Sequence, residues 1–273
     1  DSRNGNIGKG TSADTQMLLT LNRANGEIRL VSVYRDTLLM SNVKEGKCRK
    51  INSSYTEGGP EQAVTALNEN LDLKIGDYVS FSWKAAADAV NLLGGIDMDI
   101  TKAEYAYINA FITETVDSTG IPSVHLTGPG PAHLDGVQAV AYSRLRLMDT
   151  DMNRTERQRK VIEAVLEKLK QADLPTINRL LETVLPQVAT SIDAGDFLEL
   201  GKNAGNYHIV KTEGFPTVYK AATLGKLGSC LIPNTLESNV TALHEFLYED
   251  QDYQNSDRVK EIGGEIIKQA LGE

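Results

Sequence analysis

The stretch DTQMLLTLNRANGEIRLVSVY, Asp14 to Tyr34, decides the fold class. Asp14 to Asn22 reads as a strand, Asn25-Gly26 is a hairpin turn signal, and Glu27 to Tyr34 reads as the partner strand. In the second strand Ile28, Leu30, Val31 and Val33 populate both faces, which predicts a strand covered on both sides. A sheet covered on both sides is the middle of a layered α/β fold. Arg35 and Asp36 follow at its C-terminal end, where open α/β sheets place their sites.

Working outward, residues 1–13 are rich in Gly, Ser and Asn and read as a loop. Gly58-Gly59-Pro60 starts a helix through Leu67; Asp77 to Trp83 reads as a strand, Lys84 to Leu93 as a helix closed by Gly94-Gly95, and Ile96 to Ile100 as a short strand. Residues 101–133, with Gly128, Pro129, Gly130 and Pro131, read as an irregular insertion, after which Asp135 caps a short helix to Tyr142. Helices are expected near 176–188 and 193–204, strands near 207–210 and 217–221, and helices over 235–248 and 255–271. No internal repeat, low-complexity tract or linker forces a boundary. The expectation is one domain, a three-layer α-β-α arrangement with a central mixed sheet flanked by helices. Residues 1–170 form its core and 171–273 a C-terminal elaboration of the same domain.

The chain has 273 residues, 28 Lys and Arg against 37 Asp and Glu, and a net charge of -9. That size buries a large core, and the acidic balance argues against nucleic acid, which wants a basic face. The sequence holds neither a bilayer-spanning apolar run nor a signal sequence, and it opens at Asp1 without an initiator Met, as a trimmed chain does. Cys48 and Cys230 are too far apart for a metal-type Cys-x-x-Cys motif; a disulfide and two free thiols both stay open. The four histidines are scattered with no His-x-x-x-His pair, and no Gly-x-Ser-x-Gly elbow or P-loop is present.

Against this acidic background, Arg144, Arg146, Arg154 and Arg157 crowd one short segment with Asp151 and Gln158. The apolar positions Val161, Ile162, Val165, Leu166 and Leu169 define an amphipathic helix. At about 100° per residue, Arg154 and Gln158 project inside its apolar arc, and Arg157 about 40° outside it. Asp151 or Asn153 can cap the helix, leaving the arginines on its first turns, where the helix dipole adds to their charge. A buried arginine keeps its charge and needs an anion, which a carboxylate of the protein or a ligand could supply. Two other segments offer matching chemistry: the loop with Asp1, Arg3 and Asp14, whose carboxylates suit Mg²⁺, and the strand-end pair Arg35-Asp36. Several arginine forks match the charge of a diphosphate.

Seven spaced segments carry a resemblance. They are Asp-Ser-Arg (1–3), Ser-Ala-Asp-Thr (12–15), Ser-Val-Tyr-Arg-Asp-Thr (32–37) and Lys-Ile-Asn-Ser-Ser-Tyr-Thr-Glu-Gly-Gly (50–59). Further along come Leu-Gly-Gly-Ile-Asp-Met-Asp-Ile (93–100), Leu-Asp-Gly-Val-Gln-Ala-Val-Ala-Tyr-Ser-Arg-Leu-Arg (134–146) and Asp-Met-Asn-Arg-Thr-Glu-Arg-Gln (151–158). In this order they resemble the LytR-CpsA-Psr family over residues 1 to about 170, with 171–273 in the place of its more variable C-terminal part. Two departures stand out. The family normally has a hydrophobic strand just before the first Asp, and Tyr34 stands where it often has Pro.

The resemblance implies a Gram-positive envelope enzyme, held in the cell membrane by an N-terminal helix that lies outside this sequence, with its catalytic domain on the extracellular side. Such enzymes move an anionic glycopolymer, wall teichoic acid or capsular polysaccharide, from a polyprenyl-pyrophosphate carrier to peptidoglycan. Carried over by position, Asp1 and Asp14 match the Mg²⁺ carboxylates. Arg35, Arg146, Arg154 and Gln158 match the pyrophosphate-binding set, with Arg144, Arg157 and Arg3 beside them, and Asp36 is a candidate to orient Arg35 or act as base. Arg35, Arg146, Arg154 and Asp36 are thus the expected catalytic residues. Two other readings stay open: a polyprenyl-pyrophosphate phosphohydrolase, and a sensor or attenuator that binds an envelope lipid without turnover.

Overall fold

A computed structural model describes residue 7, residues 10–146 and residues 151–271. The expected hairpin forms, around a four-residue loop between Asn22 and Glu27 in place of a two-residue turn: β1 (Gln16–Leu21) runs antiparallel to β2 (Glu27–Val33), in register from Gln16↔Val33 to Leu21↔Ile28. Gly26 makes the turn at φ 78, and a side chain there would strike the backbone carbonyl of Asn206. Glycine therefore serves both the positive φ and the close approach. β3 (Leu38–Asn42) and β4 (Lys47–Lys50) form a second hairpin, and α1 (Ser53–Leu71) follows with a kink at Gly59 before Pro60. Pro60 thus opens the long second part of α1, where the missing N–H costs nothing.

β5 (Val79–Phe81) is shorter than the sequence expectation over 77–83. It leads into α2 (Trp83–Leu92), capped by the Ser82 hydroxyl. β6 (Ile96–Ile100) follows. The expected irregular insertion over 101–133 is instead largely α3 (Lys102–Thr119), followed by β7 (Gly130–Leu134), which pairs with β6. Thr101 and Glu104 form a capping box, satisfying orphan N–H groups at the start of α3, and Gly120 closes it in the left-handed region. The Gly/Pro punctuation at 128–131 therefore marks only the last part of this stretch. Asp135 caps α4 (Gly136–Arg144), as its sequence predicts, and α5 (Asp151–Lys170) follows. Asn153 lies within α5, exposed, and not at its cap.

Beyond residue 170 come α6 (Leu174–Val184), β8 (Val188–Thr190) paired with β5, and α7 (Ala194–Lys202). The expected helix near 176–188 therefore stops at Val184 and gives way to a short 3-10 turn and a strand. β9 (His208–Phe215) pairs with β2 in parallel, making a mixed sheet of order β1-β2-β9. β10 (Tyr219–Thr223) and β11 (Ser229–Pro233) form a hairpin, and α8 (Leu236–Tyr248) and α9 (Asp257–Leu271) end the described chain.

Strand alternation explains the layering. Leu18, Val31, Val33 and Phe215 turn to one side, into a core completed by Leu67 and Leu71 of α1, Val240 and Leu243 of α8, and Val259 and Ile262 of α9. Arg29 shares that side and donates to the last carbonyls of α8, Phe246 and Leu247, a cation at a helix C-terminus. Ser32, one residue out of phase, faces the other way and accepts from Arg159 of α5. A second core joins α2, α3, α4 and the β6–β7 hairpin, and Val161, Ala164 and Val165 of α5 pack against it. The sheet thus lies between α1, α8 and α9 on one side and α5 on the other. Residues beyond 170 complete this single unit, because β9 extends the sheet and α8 and α9 close its first core.

Candidate active site

The hairpin register builds the first half of the site. Continuing Gln16↔Val33 two residues outward sets Asp14 opposite Arg35, and Arg35 Nη1 lies 3.2 Å from Asp14 Oδ1. Asp36 Oδ2 is 3.5 Å from Arg35 Nε, a charge contact without hydrogen-bond geometry. Its other oxygen, Oδ1, is 3.0 Å from Lys50 Nζ at the end of β4. The backbone is fixed as firmly: the Asp36 carbonyl accepts from Leu231 N at 3.0 Å, and the Thr37 hydroxyl donates to the Tyr34 carbonyl at 2.7 Å. Acids and bases therefore alternate along this edge, Asp14, Arg35, Asp36 and Lys50, each about a quarter to two fifths exposed.

The second half is the start of α5. Arg154, Arg157 and Gln158 are all buried there. Helix phase placed Arg157 outside the apolar arc, yet it is 4% exposed. The reason is that α3 and α4 wrap that side of the helix. Arg157 Nη2 donates to the Leu145 carbonyl at 2.6 Å, and Nη1 lies 3.8 Å from Glu104 Oε1 of α3. Gln158 donates to the Ser143 carbonyl at 3.3 Å, while its own Oε1 is buried with no hydrogen-bond partner among the described residues. Such an acceptor is costly unless a donor reaches it.

Four contacts bring the halves together. Arg159 Nη1 donates to Ser32 Oγ at 3.0 Å and to the Glu213 carbonyl at 3.3 Å, pinning α5 across β2 and β9. Tyr219 donates to Met152 Sδ in the first turn of α5 at 2.9 Å. The Tyr219 ring meets Tyr34 edge to face, with centroids 6.1 Å apart, next to Arg35. The N-terminal turns of α5, with their positive dipole end, therefore stand at the C-terminal end of β2.

The remaining expected residues divide. Arg146 is exposed, directly after the buried Leu145. Arg144 is held by protein groups: its guanidinium stacks 3.5 Å over the Trp83 ring, donates to Thr115 Oγ1 at 2.7 Å and pairs with Glu114 Oε1 at 2.9 Å. Asp1 and Arg3 lie outside the described residues, as does the side chain of Asp151. No group of three or more His, Cys, Asp or Glu suited to a metal occurs among the described residues. Asp14 still fits Mg²⁺, which takes one or two protein carboxylates and draws its other ligands from water and phosphate. Its side chain is 38% exposed, so Arg35 does not bury it. Cys48 and Cys230 are free and buried among apolar neighbours, and burial pushes the Cys48 thiol up to about 11.

Lys50, Arg159 and Glu104 were not foreseen as site residues. Lys50 opens the segment Lys-Ile-Asn-Ser-Ser-Tyr, and Arg159 projects roughly 20° outside the apolar arc of α5, so both left a signal in the sequence. The Thr101-x-x-Glu104 capping pattern is equally visible, but it points only to a helix start.

The model of the LytR_cpsA_psr family matches residues 1–227. The chain belongs to the LytR-CpsA-Psr family. Its match runs well past residue 170 and takes in β9, consistent with the place of that strand in the sheet. Among curated relatives, the Enterococcus faecalis polyisoprenyl-teichoic acid–peptidoglycan teichoic acid transferase TagU is 31% identical over 72% of this chain and 60% of its own length. Bacillus subtilis TagV, of the same printed activity, is 28% identical over 70% of this chain and 48% of its own length. The chain thus spans about half the length of the curated relatives it matches. The structure of B. subtilis TagT superimposes with a TM-score of 0.67 at 21% identity, covering 88% of each chain. TagT has also been solved bound to LI-WTA. At this identity the structural likeness speaks for the fold. No described helix is long and apolar enough to cross a membrane.

Proposed function

We propose that this LytR-CpsA-Psr chain is the catalytic part of a transferase that moves an anionic glycopolymer from a polyprenyl-pyrophosphate carrier to peptidoglycan. The observation that carries the reading is the placement of the arginine-bearing first turns of α5 beside the C-terminal end of β2, where Arg35 stands with Asp14 and Asp36. That arrangement suits a diphosphate better than any single carboxylate of the protein. The teichoic acid transferase activity printed for the relatives supports it.

In the reaction, a hydroxyl of the peptidoglycan acceptor attacks the phosphorus that bears the glycopolymer. A new P–O bond forms, the bridging P–O bond breaks, and the electron pair leaves on polyprenyl phosphate. Arg35, Arg146 and Arg154 neutralise the diphosphate and the leaving group, aided by the dipole of α5. Asp36, fixed between Arg35 and Lys50, takes the hydroxyl proton on a carboxylate oxygen. Gln158 Oε1 accepts from a donor on the bound substrate or its waters. Arg144 and Arg157 serve as framework, since Trp83, Glu114, Glu104 and the Leu145 carbonyl engage them. Asp14, with Asp1, would hold Mg²⁺, whose charge offsets that of the phosphates.

The enzyme would be anchored in the cell membrane by a preceding helix, with this domain on the extracellular side. The test supplies lipid-linked glycopolymer with peptidoglycan fragments and looks for a coupled product. Release of the polymer into water supports the phosphohydrolase instead, and binding without turnover supports the sensor.

A further inference from the structure

Glu104 is a buried carboxylate that the reaction above does not use. We infer that Glu104 is a positioning residue: through Arg157 it holds the Leu145 carbonyl, and with it the backbone that presents Arg146 to the anion site. The inference rests on the proposed reading of that site.

The two oxygens of Glu104 do different work. Oε2 accepts from the Thr101 amide and the Thr101 hydroxyl, both at 2.9 Å, which completes the cap of α3. Oε1 faces Arg157 Nη1 at 3.8 Å, with side-chain exposures of 8% and 5%. At that distance and burial the attraction is little screened by solvent. Arg157 spends another nitrogen on the Leu145 carbonyl, and Leu145 is itself fully buried. Tyr142, 2% exposed, lies beside the same carboxylate, and its phenol is pushed up by burial first and by the Glu104 charge second. It stays a neutral donor. Glu104 therefore ties the start of α3, the end of α4 and the first turns of α5 at one point. Arg146, the next residue after Leu145, leaves that point exposed.

A capping role and a positioning role can be separated. A capping box needs one acceptor oxygen and works with Gln in place of Glu. Compensating Arg157 needs the charge. Glu104→Gln should therefore keep the α3 cap and release Arg157. Arg157→Lys keeps a cation but loses the fork that reaches both the carboxylate and the carbonyl.

The experiment measures affinity for inorganic pyrophosphate by titration calorimetry in the wild type, E104Q, R157K and the double variant, with helix content checked by circular dichroism. E104Q should weaken binding about 3–10-fold at unchanged helix content, a size typical of coupling through contacts. The double variant should bind within about twofold of R157K alone, because both changes break one connection. Unchanged or tighter binding by E104Q, or multiplied effects in the double variant, would overturn the inference while leaving the anion site standing. Absence of pyrophosphate binding by the wild type would overturn the site reading and this inference together.

Discussion

Arg35 and Asp14 meet because a hairpin register brings them opposite each other, two residues past the last paired positions. The hairpin was legible from the Asn25-Gly26 signal, but its register was not: a two-residue turn there would pair Ala24 with Glu27, whereas the chain closes a four-residue loop between Asn22 and Glu27, and only that register sets Asp14 opposite Arg35. If Arg35 stabilises charge that grows on the leaving phosphate, Arg35→Ala should lower kcat/KM for transfer about 10²–10³-fold, measured with lipid-linked polymer. Arg35→Lys should restore little, because a point charge cannot replace the fork. The burial of Arg157 was not legible in this way. Helix phase counts one core face, whereas α3 and α4 cover a second side of α5, and that information lies in tertiary packing. Gln158 shows the mixed case: its inward direction follows from phase, but its unpartnered oxygen appears only once its neighbours are placed.

At the scale of elements, α3 was the largest miss. Its apolar residues give a weak stripe, Thr and Val interrupt its second half, and the Gly/Pro cluster after it suggested a loop for the whole stretch. The capping box at Thr101 and Glu104 was the signal that could have found it. The sequence pattern likewise assigns no strands to the β3–β4 hairpin or to β11. The contact between α2 and α4 is close: a side chain at Gly136 would run into the Ala87 backbone. Gly136→Ala should cost about 1–3 kcal/mol and lower Tm by about 2–10 °C in thermal unfolding.

A surface cluster links the C-terminal part of α5 to the β6–β7 hairpin. His133 Nδ1 lies 2.6 Å from Asp97 Oδ1, its Nε2 lies 2.7 Å from the Gly94 carbonyl, and Lys168 Nζ is 3.0 Å from Asp97 Oδ2. Two acceptors favour the protonated ring, and Asp97 foremost pushes the His133 pKa up from 6.5. His133 and then Lys168 hold the Asp97 carboxyl below its usual range. The raised histidine stabilises fully below pH 6.5 and loses this contribution as pH rises through its folded pKa. The depressed carboxylate stabilises above pH 3.8 and loses its contribution as pH falls through its folded pKa. His133→Gln should remove the loss of stability on the alkaline side of pH 6.5, read from unfolding curves across pH. The cluster is exposed, so added salt should weaken the effect.

For the whole molecule, the layered α/β architecture was legible because β2 is apolar on both faces. The place of its neighbour was not, because β9 arrives from more than 170 residues later, and a local pattern carries no record of a parallel pairing. Single-domain character follows from that pairing, since the C-terminal part supplies a strand of the central sheet as well as α8 and α9. The proposed Mg²⁺ has its own test: chelation should stop turnover, and Asp14→Asn should raise the Mg²⁺ concentration needed for half-maximal rate, measured by titrating the metal back. The most direct measurement combines the purified chain with polyprenyl-pyrophosphate-linked glycopolymer, Mg²⁺ and peptidoglycan oligomers, and follows products by mass. The account predicts a phosphodiester-linked polymer–peptidoglycan product with polyprenyl phosphate released one for one, lost in Arg35→Ala and Arg154→Ala. Polymer released only into water, or full transfer by either variant, would contradict it.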